Sequence, residues 1–352
     1  MNNTKSKLEI TKHHLFLPIL CLVVVLLSNL LNSPDFFYIS INNGVLFGSI
    51  VDVVNRASEL VILAVGMTLV TAVSGGQDIS VGAVMAVAAA VCCQILSGGE
   101  VSVTELSNPI IVGFFMAVLA ATLCGAFNGV LVAKFKIQPM VATLILYTAG
   151  RGIAQLITKG QITYIRNDAY KVFGGYIKGC PIPTPIFFAI AVVIVITILM
   201  KKTALGLYIE SVGINSNAAR LVGLNSTKIK FVAYCLCGTL AGIAGFVASS
   251  RIYSADANNI GLNLEMDAIL AVALGGNLLS GGKFSIAGSV IGAFTIQALT
   301  TTLYAMNVQS DQLPVYKAIV VIVIVVLQSN VFKDYLKKYK KEDNVEKEGN
   351  IA

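Results

Sequence analysis

The sequence is poor in charge. Only 12% of its 352 residues are Asp, Glu, Lys or Arg, whereas a soluble globular domain contains about a quarter. Hydrophobic residues make up 56%, and the mean hydropathy is +0.81. This shortage of charge excludes an ordinary soluble domain and indicates a chain that crosses a lipid bilayer several times.

Residues that carry metal or catalytic chemistry are also scarce. The seven cysteines lack the spacing of metal ligands, since Cys92 adjoins Cys93 and Cys235 lies two residues from Cys237. The sequence contains no GxxxxGKS or GxxxxGKT loop for nucleotide phosphates. It therefore predicts no metal site, no cofactor bound by this chain and no active site of its own.

The net charge of +7 does not indicate a nucleic-acid partner. The basic residues lie in short polar stretches and in the C-terminal tail rather than on a face studded with aromatic side chains. Orientation in a membrane explains them better, because cytoplasmic loops carry an excess of Lys and Arg.

What the sequence has in abundance is apolar runs. Residues 186–200 and 231–249 carry no charge at all, and runs of that length are read as membrane helices because hydrocarbon cannot hydrate the backbone. Ten such runs are present, the first at 15–31 and the last at 314–328. The predicted fold is all-α, a polytopic bundle of about ten transmembrane helices over residues 15–330.

The remaining polar segments set the orientation. Residues 201–230 form a polar island with five basic residues, and basic residues also mark the arm 1–14 and the tail 331–352. We therefore expect a plasma-membrane protein with the island and both termini in the cytoplasm. The segment 158–184 is also basic, although this topology places it outside.

The island contains a short amphipathic helix. Ile214, Ala218 and Leu221 recur at the spacing of one helical face, Asn215 or Ser216 can cap the start, and Gly223 supplies a stop. A helix of about two turns is not stable alone in water. It is either a linker on the membrane surface or an element covered by a partner.

Residues 74–82, SGGQDISVG, lie between the second and third apolar runs and join them. Asp78 is placed to cap a helix that starts at Ile79. Two interpretations remain open: irregular backbone that lines a water-filled path within the membrane, or an ordinary capped turn at the surface.

The fourth predicted span carries a stripe of small residues every four positions, the pattern that lets another helix approach closely. Asn128 beside it is expected to bond across helices, and Arg151 in the fifth span needs a carboxylate, a carbonyl or water. Glu59 in the second span lies three residues after Arg56, within reach of an ion pair. The stripe consists of Gly113, Ala117, Ala121, Gly125 and Gly129.

Four segments resemble a known family. They are NRASELVILAVGMTLVTAVSGGQDISVGAVMAV (55–87), TLILYTAGRGIA (143–154), GINSNAARLVGLN (213–225) and EMDAILAVALGGNLLSGGKFSIAGSVIGA (265–293). In this order they are similar to the ribose, xylose and galactose type permeases of bacterial ABC importers, over residues 36–328.

Within that family two further segments, GVLFGSIVDVVNRA (44–57) and IQALTTTLYAMNV (296–308), resemble the galactofuranose permease branch. The resemblance implies a type II ABC-importer-like permease that translocates a monosaccharide delivered by an external or periplasmic binding protein. It also implies a separate ATPase subunit, which binds the ATP and Mg, and a second permease subunit, identical or different.

The resemblance assigns two sets of residues. The first set couples the chain to the ATPase: Glu210, Gly213, Ile214, Ala218, Ala219, Arg220, Leu221 and Gly223. The second set is expected along the translocation region: Gly75, Gly76, Gln77, Asp78, Ser80, Gly82, Asn128, Arg151, Glu265, Asp267, Gly275, Gly276, Asn277, Gly281 and Gly282.

Gln77 and Asn277 depart from the residues usual in the family, which either shifts substrate preference or changes nothing. Two alternatives to a sugar permease stay open. One is a permease of the same fold for a nucleoside or another small solute. The other is an ion-coupled secondary transporter, which needs carboxylates within the membrane; Glu59 is the clearest candidate in the sequence.

Overall fold

The computed structural model describes residues 15–32, 34–42 and 44–328. The predicted cytoplasmic arm 1–14 and tail 331–352 lie outside the described residues. Thirteen α-helices make up most of the described chain. They are α1 Phe16–Asn32, α2 Ser49–Ser74, α3 Val81–Ser97, α4 Ile110–Ala133, α5 Pro139–Ile157, α6 Asp168–Gly174, α7 Thr184–Lys202, α8 Leu205–Ile214, α9 Ser216–Leu221, α10 Ser226–Ile252, α11 Leu264–Leu274, α12 Ile286–Ala305 and α13 Leu313–Gln328.

The helical membrane bundle predicted from the sequence is confirmed. In the described part of the chain six helices, α2, α4, α5, α7, α10 and α12, are long and apolar enough to cross a bilayer. The other predicted spans fall on shorter helices, namely the apolar α1, α3 and α13 and the 11-residue α11.

Burial separates a central layer from a rim. Helices α2 and α3 are buried along most of their length, so their apolar residues face other helices. Helices α4, α5 and α7 bury one face and expose large apolar side chains on the other, such as Phe115, Leu144 and Ile194. An exposed apolar face of this extent fits contact with lipid.

The stripe of small residues on α4 is a close helix contact, as predicted. Its five members are buried, and the neighbouring side of the helix is not. A Cβ atom on Gly125 would clash with the Tyr234 carbonyl oxygen and lie 3.0 Å from the Gly238 Cα, both on α10. Only residues without a side chain allow two backbones to approach this closely.

Two helices begin inside the bundle rather than at its ends. Helix α11 has 11 residues and is about 16 Å long at 1.5 Å per residue, roughly half of a hydrocarbon core of about 30 Å. Helix α3 follows the irregular residues 75–80, whose Asp78 backbone N–H contacts the Met67 Sδ atom in α2 at 3.4 Å. The two helices meet where Gly82 touches Gly261 and Glu265.

The two ends of the bundle differ. At one end strands β3 Ser102–Val103, β4 Thr163–Ile165 and β5 Ser254–Ala255 form a small sheet, in which β4 pairs in parallel with β3 and antiparallel with β5. Strands β1 Ser40–Asn42 and β2 Val45–Phe47 form a hairpin that is joined to residues 176–181. We call this the strand end, and the opposite end, which carries α8 and α9, the α9 end.

Candidate functional site

A cavity of about 730 Å³ lies between helices α2, α3, α10, α11 and α12. Its volume is within the range of about 300–1,000 Å³ that is usual for small-molecule sites. It lies towards the strand end, because its walls include the first turns of α2 and the last turns of α10 and α12. Polar groups line much of it: Asp52, Arg56, Glu59, Arg251, Asn259, Asp267, Gln297, Thr300, Thr301 and Tyr304.

An ion pair joins two walls of the cavity. The Arg251 Nε atom lies 3.1 Å from the Glu59 Oε1 atom, and the Arg251 Nη2 atom donates to the Asn55 carbonyl oxygen at 2.9 Å. The sequence pattern pairs Glu59 with Arg56 instead, and this prediction is wrong. Arg56 is exposed to the cavity, whereas Arg251 reaches Glu59 from α10, a contact that no local spacing indicates.

A second ion pair crosses from α11 to α13. The Lys317 Nζ atom donates to the Asp267 Oδ2 atom at 2.7 Å, and both side chains are largely buried. Asp267 lines the cavity. Lys317 is not among the residues predicted from the sequence, although a single lysine within an apolar run is itself a signal for a buried partner.

The predicted role of Asp78 as a helix cap is wrong in detail. Helix α3 begins at Val81, and the Asp78 Oδ1 atom accepts from the Ser80 backbone N–H at 2.9 Å and from the Ser80 Oγ at 2.6 Å. The Asn128 Nδ2 atom donates to the same hydroxyl at 2.8 Å. Asp78 and Asn128 are buried, so residues 75–80 are not an ordinary surface turn.

The turn after α2, residues 75–80, and the turn between α11 and α12, residues 275–285, are both rich in glycine. They meet at the α9 end of the bundle. A Cβ atom on Gly75 would clash with the Ser280 carbonyl, and the Gly282 N–H donates to the Ala72 carbonyl at 2.8 Å. The Gly275 backbone packs against Gly288. Gln77, Gly76, Gly276 and Gly281 belong to these same two turns and do not line the cavity.

Asn277 organises the turn between α11 and α12. Its Oδ1 atom accepts from the Ser285 N–H at 2.6 Å, and its Nδ2 atom donates to the Ser289 Oγ at 2.8 Å. It also donates to the Val272 carbonyl at 3.2 Å. This departure from the usual family residue therefore holds a turn together rather than contacting the cavity.

The predicted amphipathic helix is split in two. Ile214 ends α8, and the extended backbone of Asn215 separates it from α9, so the prediction of one face through Ile214, Ala218 and Leu221 is wrong. The caps are confirmed: the Asn215 Oδ1 atom accepts from the backbone N–H groups of Asn217 and Ala218, and Gly223 has a φ of +86°.

The α8–α9 region presents apolar side chains outside the bundle. The exposed fractions are 67% for Ile214, 90% for Leu221 and 78% for Val222. Ala218, Arg220 and Gly223 are also exposed, whereas Ala219 is buried and Glu210 is half-buried. We call Ile214, Ala218, Arg220, Leu221 and Val222 the α9 surface.

A direct contact links this region to the central helix. Gly213 in α8 packs against the Ala72 carbonyl in the last turn of α2 and against the Gly282 N–H. The first turns of α2 carry Asp52, Arg56 and Glu59 at the cavity. The α9 surface and the cavity therefore lie at opposite ends of one 26-residue helix.

Of the residues predicted along the translocation region, only Asp267 lines this cavity. Glu265 and Arg151 lie behind its wall, and the others form the network at Asp78 or the two glycine turns. Among the described residues no group of three His, Cys, Asp or Glu could hold a metal ion.

Comparison with known proteins gives a consistent result. A family model described as "Branched-chain amino acid transport system / permease component" matches residues 49–328. The galactofuranose transporter permease protein YtfT of Escherichia coli K12 is 43% identical over 92% of each chain. The fructose import permease protein FruF of Bifidobacterium longum is 40% identical over 82% of this chain and 79% of its own.

The ribose import permease protein RbsC of Escherichia coli K12 is 35% identical over 88% of this chain and 91% of its own length. No solved structure matches.

Proposed function

The chain belongs to the family of transport-system permease components, and we propose that it is the membrane subunit of an ATP-driven importer for a monosaccharide. It is not itself catalytic; the ATP and Mg are bound by a separate ATPase subunit. The 43% identity to a galactofuranose permease makes galactofuranose the first sugar to test. The relatives named for fructose and ribose support the same class of solute.

The observation that carries this proposal is the charge balance of the cavity. Glu59 is paired with Arg251 and Asp267 with Lys317, and the remaining acid and base of the lining, Asp52 and Arg56, carry opposite charges. Hydroxyl and amide groups of Gln297, Thr300, Thr301 and Tyr304 fill much of the rest of the lining. Such a surface offers many hydrogen bonds and little net charge, which suits a neutral sugar.

The α9 surface is the proposed docking site of the ATPase. Apolar side chains as exposed as Leu221 and Val222 are unfavourable in water, and a six-residue helix needs a partner to stabilise it. Exposed Lys201, Lys202 and Lys228 surround this end, and by the charge rule they support a cytoplasmic position for it. The strand end then faces outside and receives the sugar-binding protein.

Transport follows from this arrangement. Closure of two ATPase domains would draw the α9 surfaces of two permease subunits together, in a homodimer or a heterodimer. Helix α2 would carry the motion through Gly213 and Ala72 to the cavity and change the side from which it is open. The chain would lie in the bacterial plasma membrane with both termini in the cytoplasm.

The test is uptake by proteoliposomes that contain the chain, its ATPase and its second permease subunit, with the binding protein outside and ATP inside. We expect uptake of labelled galactofuranose, ribose or fructose that requires ATP and survives dissipation of ion gradients. Uptake without ATP that an ionophore abolishes would support a secondary transporter. Uptake of a nucleoside but of none of the sugars would support the other alternative.

A further inference from the structure

One wall of the cavity is an irregular segment, residues 256–263, which we call the wall segment. Its residues Asn259, Ile260, Gly261 and Leu262 line the cavity. Two of its residues, Gly261 and Asn263, have positive φ angles of 70° and 64°. The wall segment joins the strand end to the half-length helix α11 and forms no helix or strand of its own.

Irregular backbone inside a membrane bundle must find hydrogen-bond partners, because lipid supplies none. Some backbone N–H groups of the wall segment find their partners within it. The Asp256 carboxylate accepts from the backbone N–H groups of Asn258 and Asn259. The Ile260 N–H donates to the Asp256 carbonyl at 3.0 Å. These bonds shape the segment but do not attach it to the rest of the bundle.

Arg151 attaches the wall segment to helix α5 on the side away from the cavity. Its Nη1 atom donates to the carbonyl oxygens of Ala257 at 3.0 Å, Asn258 at 3.2 Å and Ile260 at 2.6 Å. One turn later on α5, the Gln155 Nε2 atom donates to the Asn258 Oδ1 atom at 2.6 Å. Neither Arg151 nor Gln155 lines the cavity.

Glu265, in the first turn of α11, follows the wall segment in the chain. Its carboxylate is buried against Gly82 in α3, and neither oxygen has a hydrogen-bond partner in the part of the chain that is described. In the described part of the chain it forms no ion pair with Arg151, although the opposite charges attract through space. The guanidinium is held beside the wall segment by its three carbonyl contacts.

We infer that Arg151 is a positioning residue that sets the shape and mobility of the cavity wall without touching the sugar. The inference rests on the proposed function for its role in transport, although the attachment itself can be measured without transport. The rigid guanidinium holds its Nη1 atom, with two N–H donors shared among three carbonyls, at a fixed position, whereas a lysine ammonium is a flexible point donor. Arg151→Lys should therefore loosen the wall segment, and Arg151→Gln should loosen it further.

The reporter is Ile260→Cys, because Ile260 lines the cavity yet is only 5% exposed. A membrane-impermeant maleimide reaches Cys at this position only when the wall segment opens. The labelling rate is measured in the purified full-length chain with Cys180→Ser, and the chain without the reporter cysteine supplies the background. Thr148→Val, on the exposed face of the same helix α5, is the matched control.

We expect Arg151→Gln to raise the labelling rate about ten-fold, as when local opening loses about two ordinary hydrogen bonds. Arg151→Lys should be intermediate and Thr148→Val unchanged. If Arg151→Gln does not accumulate as folded protein, Gln155→Leu removes the single bond to Asn258 and should give a smaller rise. A labelling rate in Arg151→Gln equal to wild type, or an equal rise in Thr148→Val, would overturn the inference.

An uptake assay distinguishes failure of this inference from failure of the proposed function. If the wild type takes up sugar with ATP, Arg151→Gln should lower the maximal rate, and Arg151→Lys should restore part of it. Absence of uptake by the wild type would refute the importer assignment while the labelling contrast still decides the role of Arg151.

Discussion

At the scale of single residues, the buried carboxylates have distinct environments. Glu59 and Asp267 each have a basic partner, Asp78 accepts hydrogen bonds from Ser80, and Glu265 is buried against a glycine. A secondary transporter needs an acid that is free to bind its coupling ion. The pairing of Glu59 with Arg251 removes the residue that the sequence offers most clearly for that role.

The first prediction concerns Asp78. Asp78→Leu leaves the Ser80 N–H and hydroxyl without an acceptor inside the bundle, at a cost of about 1–3 kcal/mol for each group. Asp78→Asn keeps an oxygen at the same place. We expect Asp78→Leu to impair uptake and thermal stability and Asp78→Asn to be mild; equal activity in both would rule out the network.

The second prediction concerns the ion pair between α2 and α10. Glu59→Gln leaves the Arg251 charge without its partner in a side chain that is only 21% exposed. We expect a lower Tm in detergent for each of Glu59→Gln and Arg251→Gln. The double variant should be more stable than the sum of the two losses predicts, by about 0.5–3 kcal/mol; additive losses would show that the two charges do not interact.

At the scale of elements, the contact between α4 and α10 follows from the absence of side chains. Gly125→Leu would drive a branched side chain into the Tyr234 carbonyl and the Gly238 backbone. Overpacking of this kind costs typically about 1–3 kcal/mol and sometimes more. We expect less folded protein and a lower Tm.

Gly152→Leu is the matched control for this third prediction. It adds the same side chain to a helical glycine that has open space around it. If both variants express and melt like the wild type, the α4–α10 contact does not limit stability.

The fourth prediction concerns the α9 surface. Arg220→Glu and Ala218→Asp add negative charge to the proposed ATPase contact, and reversing a charge in such an interface costs on the order of 2–5 kcal/mol, an affinity loss of about 30-fold or more. Membrane abundance should stay normal because both residues are exposed. Copurification of the ATPase and uptake should both fall; if both persist, α9 is a linker.

At the scale of the whole molecule, composition and apolar runs were enough to predict the helical bundle. The small-residue stripe also predicted a real interface, because its spacing encodes the packing face directly. The cavity could not be predicted in the same way. Arg251, Gln297 and Lys317 come from distant helices, and no local pattern shows that folding brings them to one cavity with Glu59 and Asp267.

The sequence also predicted the caps of α9 but not its break from α8. The spacing of Ile214 fits the helical period, yet the Asn215 side chain competes for the backbone N–H groups that follow it. Capping therefore begins a new helix at Ser216. Local hydrogen bonding outweighed the apolar periodicity at this position.

A fifth prediction tests the link between the two ends. Gly213→Val would place a branched side chain against the Ala72 carbonyl and separate α8 from α2. Because the α9 surface is untouched, we expect the ATPase to copurify normally while uptake falls at least about ten-fold, a change of about 1.4 kcal/mol in coupling. Gly213→Ala should shift uptake in the same direction, because its Cβ atom alone meets the Ala72 carbonyl, and membrane abundance is measured for both variants. Loss of copurification together with uptake would place Gly213 in the docking contact instead.

The meeting of α3 and α11 in the middle of the bundle has an electrical consequence. Each helix starts there, and each N-terminus carries a partial positive charge of about +0.5. Gly82 and Glu265 bring these two N-termini into contact, so their positive potentials add at one point inside the bundle. The Glu265 carboxylate lies at that point, and two half charges together are equivalent to one basic side chain. The broken helices thus supply the charge that balances a buried acid.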